Sequence, residues 1–452
     1  MKRNKFIQTG KIIALALLIS GSSMAQTTNQ FSAKQAVDYG LKNSYQVKNA
    51  LLDISEQQQQ NRELTAAALP QINASGSITD YTDIPVTLIP AGIFDSTAPP
   101  TEYKAFAFGT KWNGSATVSL RQVLFDGQVF IGLSARRVIV DERKRQEEIT
   151  EINIRTNIYK IYYQLVASKT QIALLDSNIN RLLKLDHDTK EIYKNGFAEK
   201  LDVDRLSVQI ANLQTQELST KNNIANGYTG LKILMGMPVK DSLVLTDTLN
   251  DDKIREGVLE NSNYNYSDRK EFQLSQLNNK LNELTVKRYN RSQIPTLYFN
   301  GVYGKQGYSA DNNFDLLDAN SSWYTTSYVG VNLSIPIFNG FSARAKIEES
   351  KIQLRQSQNQ LENLKLSIDN DVAVAKNNFA TAITTMDFQK QNMQLAETVY
   401  DQTKKKYETG TGSLTDINNS QTDLQAAQSN YISALYDAIT AKIDFLKAVG
   451  KL

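Results

Sequence analysis

The feature that most constrains this chain is a pair of motifs that each occur twice at nearly the same separation. The first motif is YKNGFAEKLDVDRLSVQIANLQ from Tyr193, and its copy is YETGTGSLTDINNSQTDLQAAQ from Tyr407. The second is VSLRQVLFDG ending at Gly127, and its copy is VNLSIPIFNG ending at Gly340. Offsets of 214 and 213 residues predict a duplicated unit that covers most of the chain. Neither motif contains residues typical of catalysis. The function is therefore expected to depend on the overall architecture rather than on a reactive site.

We predict that the two repeats span residues 26–239 and 240–452, after an export signal over residues 1–25. The signal has four cations ahead of the apolar run Ile12–Ile19 and small residues before Gln26. Eight apolar residues are too few for a membrane-spanning helix, which needs about 20. Without the signal, 46 basic residues stand against 47 acidic ones, so the composition gives no argument for a nucleic-acid partner.

The residue types exclude several kinds of site. The chain has no cysteine, which rules out disulfides, thiolate metal sites and a cysteine nucleophile. Its single histidine, His187, is interpreted as a solvated helix side chain, because one imidazole without partner ligands makes a poor metal site. No Ser/His/Asp set, metal-ligand spacing or phosphate-binding glycine loop is recognisable. We therefore predict no catalytic residues, no metal, no cofactor and no enzymatic activity.

Alternation of apolar and polar residues predicts four β-strands in two pairs. In the first strand, Ile72, Ala74, Gly76 and Ile78 alternate with polar residues. The predicted strands cover residues 70–81, 112–125, 296–304 and 323–337. Each has the length and alternation of a bilayer-crossing strand. Residues 82–111 contain four prolines and are predicted to form a long irregular loop.

The rest of the chain has helical patterns, and some of them are very long. We predict helices over residues 31–69, 128–236, 268–293 and 341–449, with a reversal inside each long segment. Apolar residues seven apart, from Ile154 to Leu182 and from Ile347 to Ile368, predict helices that supercoil about neighbours. At 1.5 Å per residue the longest would run ~100 Å. Helices alone would also fit a periplasmic or surface coiled-coil filament, but a filament leaves the four strands unexplained.

Proline and glycine mark the predicted strand–helix junctions. These junctions contain Pro70, Gly127, Pro295, Pro336 and Gly340. Val123 stands where the second copy has Pro336, so the first junction is expected to bend differently. At the reversals, Gly196 and Gly410 suit the left-handed residue that closes a helix. Ser413-x-x-Asp416 resembles a capping box for the next helix.

Four strands cannot close on themselves, and a bilayer tolerates no open sheet edge, so the chain must associate. Two copies would give eight strands with a filled interior, and three would give twelve strands with room for a passage. The polar strand faces, rich in Ser, Thr and Asn, suit a watery lumen.

In the order and duplication of these motifs, the chain resembles the TolC-like outer-membrane efflux protein family. The resemblance covers essentially everything after the signal and rests on the strand pairs, the FDG and FNG motifs and the twin Y-x-x-G-x(5)-D turns. It implies a mixed fold of coiled-coil helices and membrane β-barrel. A homotrimer would close as a twelve-stranded β-barrel continued by a twelve-helix periplasmic α-barrel.

The resemblance also implies a function and partners. Such a trimer is the passive exit duct of a tripartite efflux or type I secretion system. It lies in the outer membrane of a Gram-negative bacterium, surrounded by lipid, and projects into the periplasm. A periplasmic adaptor would link it to an inner-membrane RND, ABC or MFS transporter. The cargo, the particular adaptor and transporter, and the resting state are left open.

Site residues follow from the same resemblance. Asp416 matches an aspartate that contributes, by threefold symmetry, to an acidic ring at the periplasmic entrance. Asp202 and Tyr407 match positions that join neighbouring tip helices and help to keep the entrance closed. Adaptor docking is implied at the tip turns, which contain Gly196, Ala198, Gly410, Gly412 and Ser413. Gly412 stands where some relatives have an arginine of the closing network, and Asn419 stands where some have a second acid.

Overall fold

The computed structural model describes residues 29–249, 251–255, 264–309 and 323–452. The predicted export signal, residues 1–25, lies outside the described residues. In chain order the strands and helices are β1 (Asn29–Phe31), α1 (Ala33–Asn43), α2 (Tyr45–Ala66), β2 (Gln71–Asp80), β3 (Val86–Pro90), β4 (Tyr103–Ala107), β5 (Trp112–Phe125), α3 (Gly127–Lys194), α4 (Lys200–Met235), β6 (Leu243–Leu245), α5 (Asp251–Arg255), α6 (Lys270–Arg291), β7 (Thr296–Ser309), β8 (Trp323–Ser334), α7 (Ser342–Glu408) and α8 (Leu414–Ala448).

Four long strands form one antiparallel sheet in the order β2–β5–β7–β8. Its register pairs Ile72 with Leu120 and Leu120 with Gly301, so one face is built from the predicted apolar positions. The opposite face is polar, and there Ser75 Oγ lies 2.8 Å from Thr117 Oγ1. In the part of the chain that the structure describes, β2 and β8 each pair with one strand only. The predicted set of four two-faced strands is confirmed.

The ends of the strands differ from the sequence prediction in the second pair. β7 continues to Ser309 rather than ending at residue 304, and β8 stops at Ser334 rather than at residue 337. Pro336 explains the early end of β8, because proline has no N–H to donate to a neighbouring strand. Residues 335–339 accordingly have no regular secondary structure.

The prediction that residues 82–111 form an irregular loop was wrong. β3 and β4 pair within this segment, with Leu88 opposite Ala105. The prolines flank the two short strands instead of interrupting them, since Pro85 precedes β3 and Pro90 is its last residue. Proline is tolerated at such positions because no ladder hydrogen bond is lost there.

The helix predicted over residues 31–69 is in fact two helices that meet at Ser44. A second capping box, between Ser32 and Gln35, begins the first of them. The parallel pair β1–β6 was not predicted, because strands of three residues are too short to show a period. Within the described ranges, no helix combines the length and apolar character that crossing a bilayer would require.

The chain divides into two compact units, each of which draws on both halves of the sequence. One unit contains residues 1–52, 144–273 and 363–452, and the other contains residues 53–143 and 274–362. The repeat boundary at residues 239/240 therefore stays a prediction from the sequence.

Residues of the predicted apolar row from Ile154 to Leu182 contribute to the core of the first unit. Its first apolar cluster includes Ile154, Ile158 and Leu231, and its second includes Leu182 and Leu206. The strand sheet belongs to the second unit.

Candidate functional site

The first repeated turn, residues 195–199, joins α3 to α4. The N–H of Gly196 donates to the Tyr193 carbonyl at 2.9 Å, and that of Phe197 donates to the Ile192 carbonyl at 3.0 Å. These two bonds form a Schellman motif, and Gly196 has the positive φ of 82° that this motif requires. Beyond the two chain neighbours of Gly196, no described residue has an atom within 4 Å of the place where a Cβ would be, so conformation rather than space requires glycine.

The second repeated turn, residues 409–413, joins α7 to α8 in the same way. Gly410 has a φ of 75°, and its N–H donates to the Tyr407 carbonyl at 2.9 Å. The predicted left-handed glycine is confirmed in both turns. A Cβ at Gly412 would lie 3.0 Å from the Tyr407 nitrogen and 3.1 Å from the Lys406 Cβ. In this form the turn has little room for a side chain at position 412.

The two turns differ in how the following helix is capped. Ser413 Oγ accepts from the Asp416 N–H at 3.1 Å, and Asp416 Oδ2 accepts from the Ser413 N–H at 3.4 Å. The predicted capping box is confirmed, and Asp416 is an exposed residue in the first turn of α8. The N-cap of α4 is Glu199, whose side chain makes no capping bond. Asp202 lies in the first turn of α4, with its carboxylate 4.0 Å from Arg205.

Tyr407 is positioned by packing between helices. It lies against the second apolar cluster, and its hydroxyl is 3.4 Å from the buried Thr189 Oγ1 on α3. Asn419 is exposed on α8, one turn beyond Asp416. In the single chain Tyr407 thus meets Thr189, while Asp202 meets Arg205. The latching role of Tyr407 and Asp202 between neighbouring helices stays a prediction.

One residue of the turns was missed by sequence reasoning. Phe197 is 86% exposed at the first repeated turn, directly after Gly196. The motif comparison singled out residues shared by the two copies, and the second copy has Thr411 at this place. Ala198 beside it is half-buried. Its position in the repeated turn, rather than its exposure alone, makes Phe197 a candidate contact for a partner.

The strand–helix junctions of the two repeats differ physically. Gly127 is the first residue of α3, and a Cβ there would lie 2.5 Å from Ile294 Cδ1. Gly340 instead has a φ of 62°, with nothing within 4 Å of the Cβ position. The strand register also shifts between Val123 and Phe125. The expected difference in bending is therefore present.

The two remaining prolines occupy the predicted places. Pro70 and Pro295 stand immediately before β2 and β7. Over the residues that the structure describes, no group of three or more His, Cys, Asp or Glu side chains is arranged to hold a metal ion.

Comparison with known proteins finds similarity to outer-membrane efflux and secretion proteins. Residues 271–451 match the outer membrane efflux protein family. The outer membrane protein TolC of Vibrio cholerae is 21% identical over 343 residues, which are 75% of this chain and 77% of that protein. The alkaline protease secretion protein AprF of Pseudomonas aeruginosa is 22% identical, over 72% of this chain and 67% of that protein.

Solved structures show the same fold. The Campylobacter jejuni CmeC outer membrane channel superposes with a TM-score of 0.72 at 18% identity. The superposition covers 93% of this chain and 85% of that one.

Proposed function

The resemblance of this chain to the TolC-like outer-membrane efflux proteins is confirmed, and on that premise we propose that it forms an outer-membrane exit duct. The duct would carry the cargo of an efflux or type I secretion system out of a Gram-negative bacterium. The observation that carries the proposal is a sheet with an apolar face and a polar face, whose two outer strands pair on one side only within the described residues. Inside a bilayer such edges must be paired, because no water is present to satisfy them.

The interface inside the chain suggests how copies would meet. β5 pairs with β7, and Gly127 packs against Ile294, which precedes Pro295. Their counterparts in the repeat are Gly340 and Leu69, which precedes Pro70. Leu69 is 54% exposed, and the Cβ position of Gly340 is open. A neighbouring copy that lays its β2 along β8 would cover both, and three copies would close twelve strands around a passage.

This arrangement predicts a register between copies. The β5–β7 pair Ser119–Val302 corresponds, through the two repeats, to Asn332 of one chain and Ser77 of the next. Because the chain has no cysteine, the variant Ser77→Cys/Asn332→Cys is expected to give disulfide-linked trimers on non-reducing gels. The matched control Ser119→Cys/Val302→Cys should cross-link only within one chain. If the first variant stays monomeric on the gel while the control variant forms its disulfide, this mode of closure is wrong.

The docking surface for a periplasmic adaptor lies at the repeated turns in this proposal. TolC-like channels generally work with an adaptor and an inner-membrane transporter. For this chain we infer that the adaptor meets Gly196, Ala198, Gly410, Gly412 and Ser413. Phe197 supports the inference as an exposed apolar contact within the same surface. An RND, ABC or MFS transporter would connect through that adaptor, and the chain itself would perform no catalysis.

Asp416 is proposed to shape the entrance, together with Asp202, Tyr407 and Asn419. An exposed carboxylate repeated three times around a narrow opening favours cations. In planar bilayers with a KCl gradient, Asp416→Asn is therefore expected to move the reversal potential toward zero by roughly half or more. Asp437→Asn, which removes an exposed acid about six turns further along α8, is the matched control. Equal effects of the two substitutions would remove Asp416 from the entrance.

The same recordings test the function as a whole. Protein extracted from the outer membrane should conduct ions after reconstitution, because three copies would close twelve strands around a passage. A water-soluble periplasmic rod without conductance would support the alternative, a coiled-coil filament protein.

A further inference from the structure

The polar face of the sheet is almost free of charge. In the four long strands, all of which are described, its side chains are neutral with one exception, Arg121. Two other charged residues of these strands lie on the apolar face. Lys305 pairs with Ala116, and Asp80 pairs with Trp112 at the end of β2.

Arg121 lies near the end of β5 that leads into α3, and its side chain leans toward that end, over Tyr298, which pairs with Val123. It lies between Gln71 and Asn300 in the register, and it is exposed. Its guanidinium carbon is 4.5 Å from the centre of the Tyr298 ring, which is a cation–π distance. The Tyr298 hydroxyl in turn donates to Asp126 Oδ2 at 3.1 Å, which fixes the ring.

The acid beside this stack, Asp126, is shielded from the surface. Asp126 is only 9% exposed and caps α3, accepting from the Gln128 N–H at 2.8 Å. Among the described residues, none forms an ion pair with Arg121 within 4.0 Å. The second repeat has Ser334 at the corresponding position, so each chain supplies one such cation.

We propose that Arg121 makes the sheet-lined part of the passage prefer anions. The inference rests on the proposed duct, in which three copies place three guanidinium groups around a neutral, hydroxyl-lined lumen. A ring of like charges raises the local concentration of counter-ions in a narrow pore. The groups recognised are solvated anions, such as chloride or the carboxylate, sulfonate or phosphate of a cargo, since guanidinium matches these groups. The passage would then favour cations at Asp416 and anions at Arg121.

The test uses the full trimer in planar bilayers under a KCl gradient, in an Asp416→Asn background that removes the opposing preference. Arg121→Gln is expected to lower the chloride-to-potassium permeability ratio roughly twofold or more, and Arg121→Glu to lower it further. Lys305→Gln, on the other face of the same sheet, is the matched control and should leave the ratio unchanged. Ser334→Arg, which doubles the number of cations, should raise it.

The outcomes separate this inference from the function on which it rests. If Arg121→Glu trimers conduct with an unchanged permeability ratio, the inference is wrong and the duct stands. An equal change from Lys305→Gln would also overturn it, because the effect would then not belong to the polar face. If the parent protein itself does not conduct, both proposals fail. Trimer formation on native gels shows that each variant has assembled.

Discussion

Gly236→Ala is expected to destabilise the protein by roughly 2–5 kcal/mol. Gly236 ends α4 with a φ of 71°, a conformation that costs a residue with a Cβ about 1–2 kcal/mol. The added Cβ would also lie 2.3 Å from the Asn43 carbonyl oxygen and 2.7 Å from its carbon. These are backbone atoms at the break between α1 and α2, so relief requires a shift of the helix ends, and overpacking of this kind costs ~1–3 kcal/mol.

Gly230→Ala provides the matched control in the same helix. Gly230 is helical, and no atom lies within 4 Å of its Cβ position, so alanine should stabilise the helix by about 0.5–1 kcal/mol. The thermal unfolding temperature of the detergent-solubilised protein, measured by circular dichroism, should fall for Gly236→Ala and rise for Gly230→Ala. Similar unfolding temperatures would show that the α4 end does not depend on contact with Asn43.

A second helix ends in the same way, on a left-handed glycine packed against another segment of backbone. Gly450 follows α8 with a φ of 74°, and a Cβ there would lie 3.0 Å from the carbonyl carbon and oxygen of Asp268. In each repeat a returning helix therefore ends on the backbone just before another helix begins, at Asn43–Ser44 and at Asp268–Arg269. Such matching helix ends are what the duplication predicted from the two motifs would produce.

Local patterns explain which parts of the fold were predictable. The two faces of the sheet follow from alternation, since successive side chains of a strand point to opposite sides. Gly196, Gly410 and the Ser413–Asp416 box follow from the chemistry of helix ends, which involves only neighbouring residues. The β1–β6 pair and the break at Ser44 were missed, because they depend on contacts between distant segments or on one residue within a helical pattern.

The candidate site was predictable in position but not in contacts. The repeated turns fell where the motif placed them, because glycine and capping residues act within a few positions. Tyr407 meets Thr189, which is 218 residues away, only because α7 packs on α3. Phe197 was not predicted, because the comparison of the two motif copies selects shared residues and Phe197 has no aromatic counterpart in the second copy. Arg121 was visible in the sequence, but its isolation on the polar face required the register of all four strands.

A buried layer of amides between α3 and α8 leads to the second large expected effect. Asn178 donates to Gln428 Oε1 at 3.0 Å and accepts from Gln421 Nε2 at 3.1 Å. All three residues are less than 9% exposed. Asn178→Leu would leave two buried amides without a partner, and each such loss costs about 1–3 kcal/mol. We therefore expect a destabilisation of roughly 2–6 kcal/mol, measured as a lower thermal unfolding temperature of the solubilised protein.

Replacing all three amide residues with leucine tests whether the layer stabilises the protein or instead selects the register of its helices. In the described residues, Gln421 Oε1 is buried without a hydrogen-bond partner, so the layer already carries an uncompensated cost. The triple variant should be about as stable as the parent or more stable, because replacing all partners of buried hydrogen bonds with apolar groups of similar shape can be neutral or stabilising. Polar residues at coiled-coil core positions instead fix the register of neighbouring helices. Amide hydrogen exchange along α8 should therefore be faster in the triple variant than in the parent, although the unfolding temperature does not fall. Unchanged exchange together with a lower unfolding temperature would mean that the layer stabilises the helices and does not select their register.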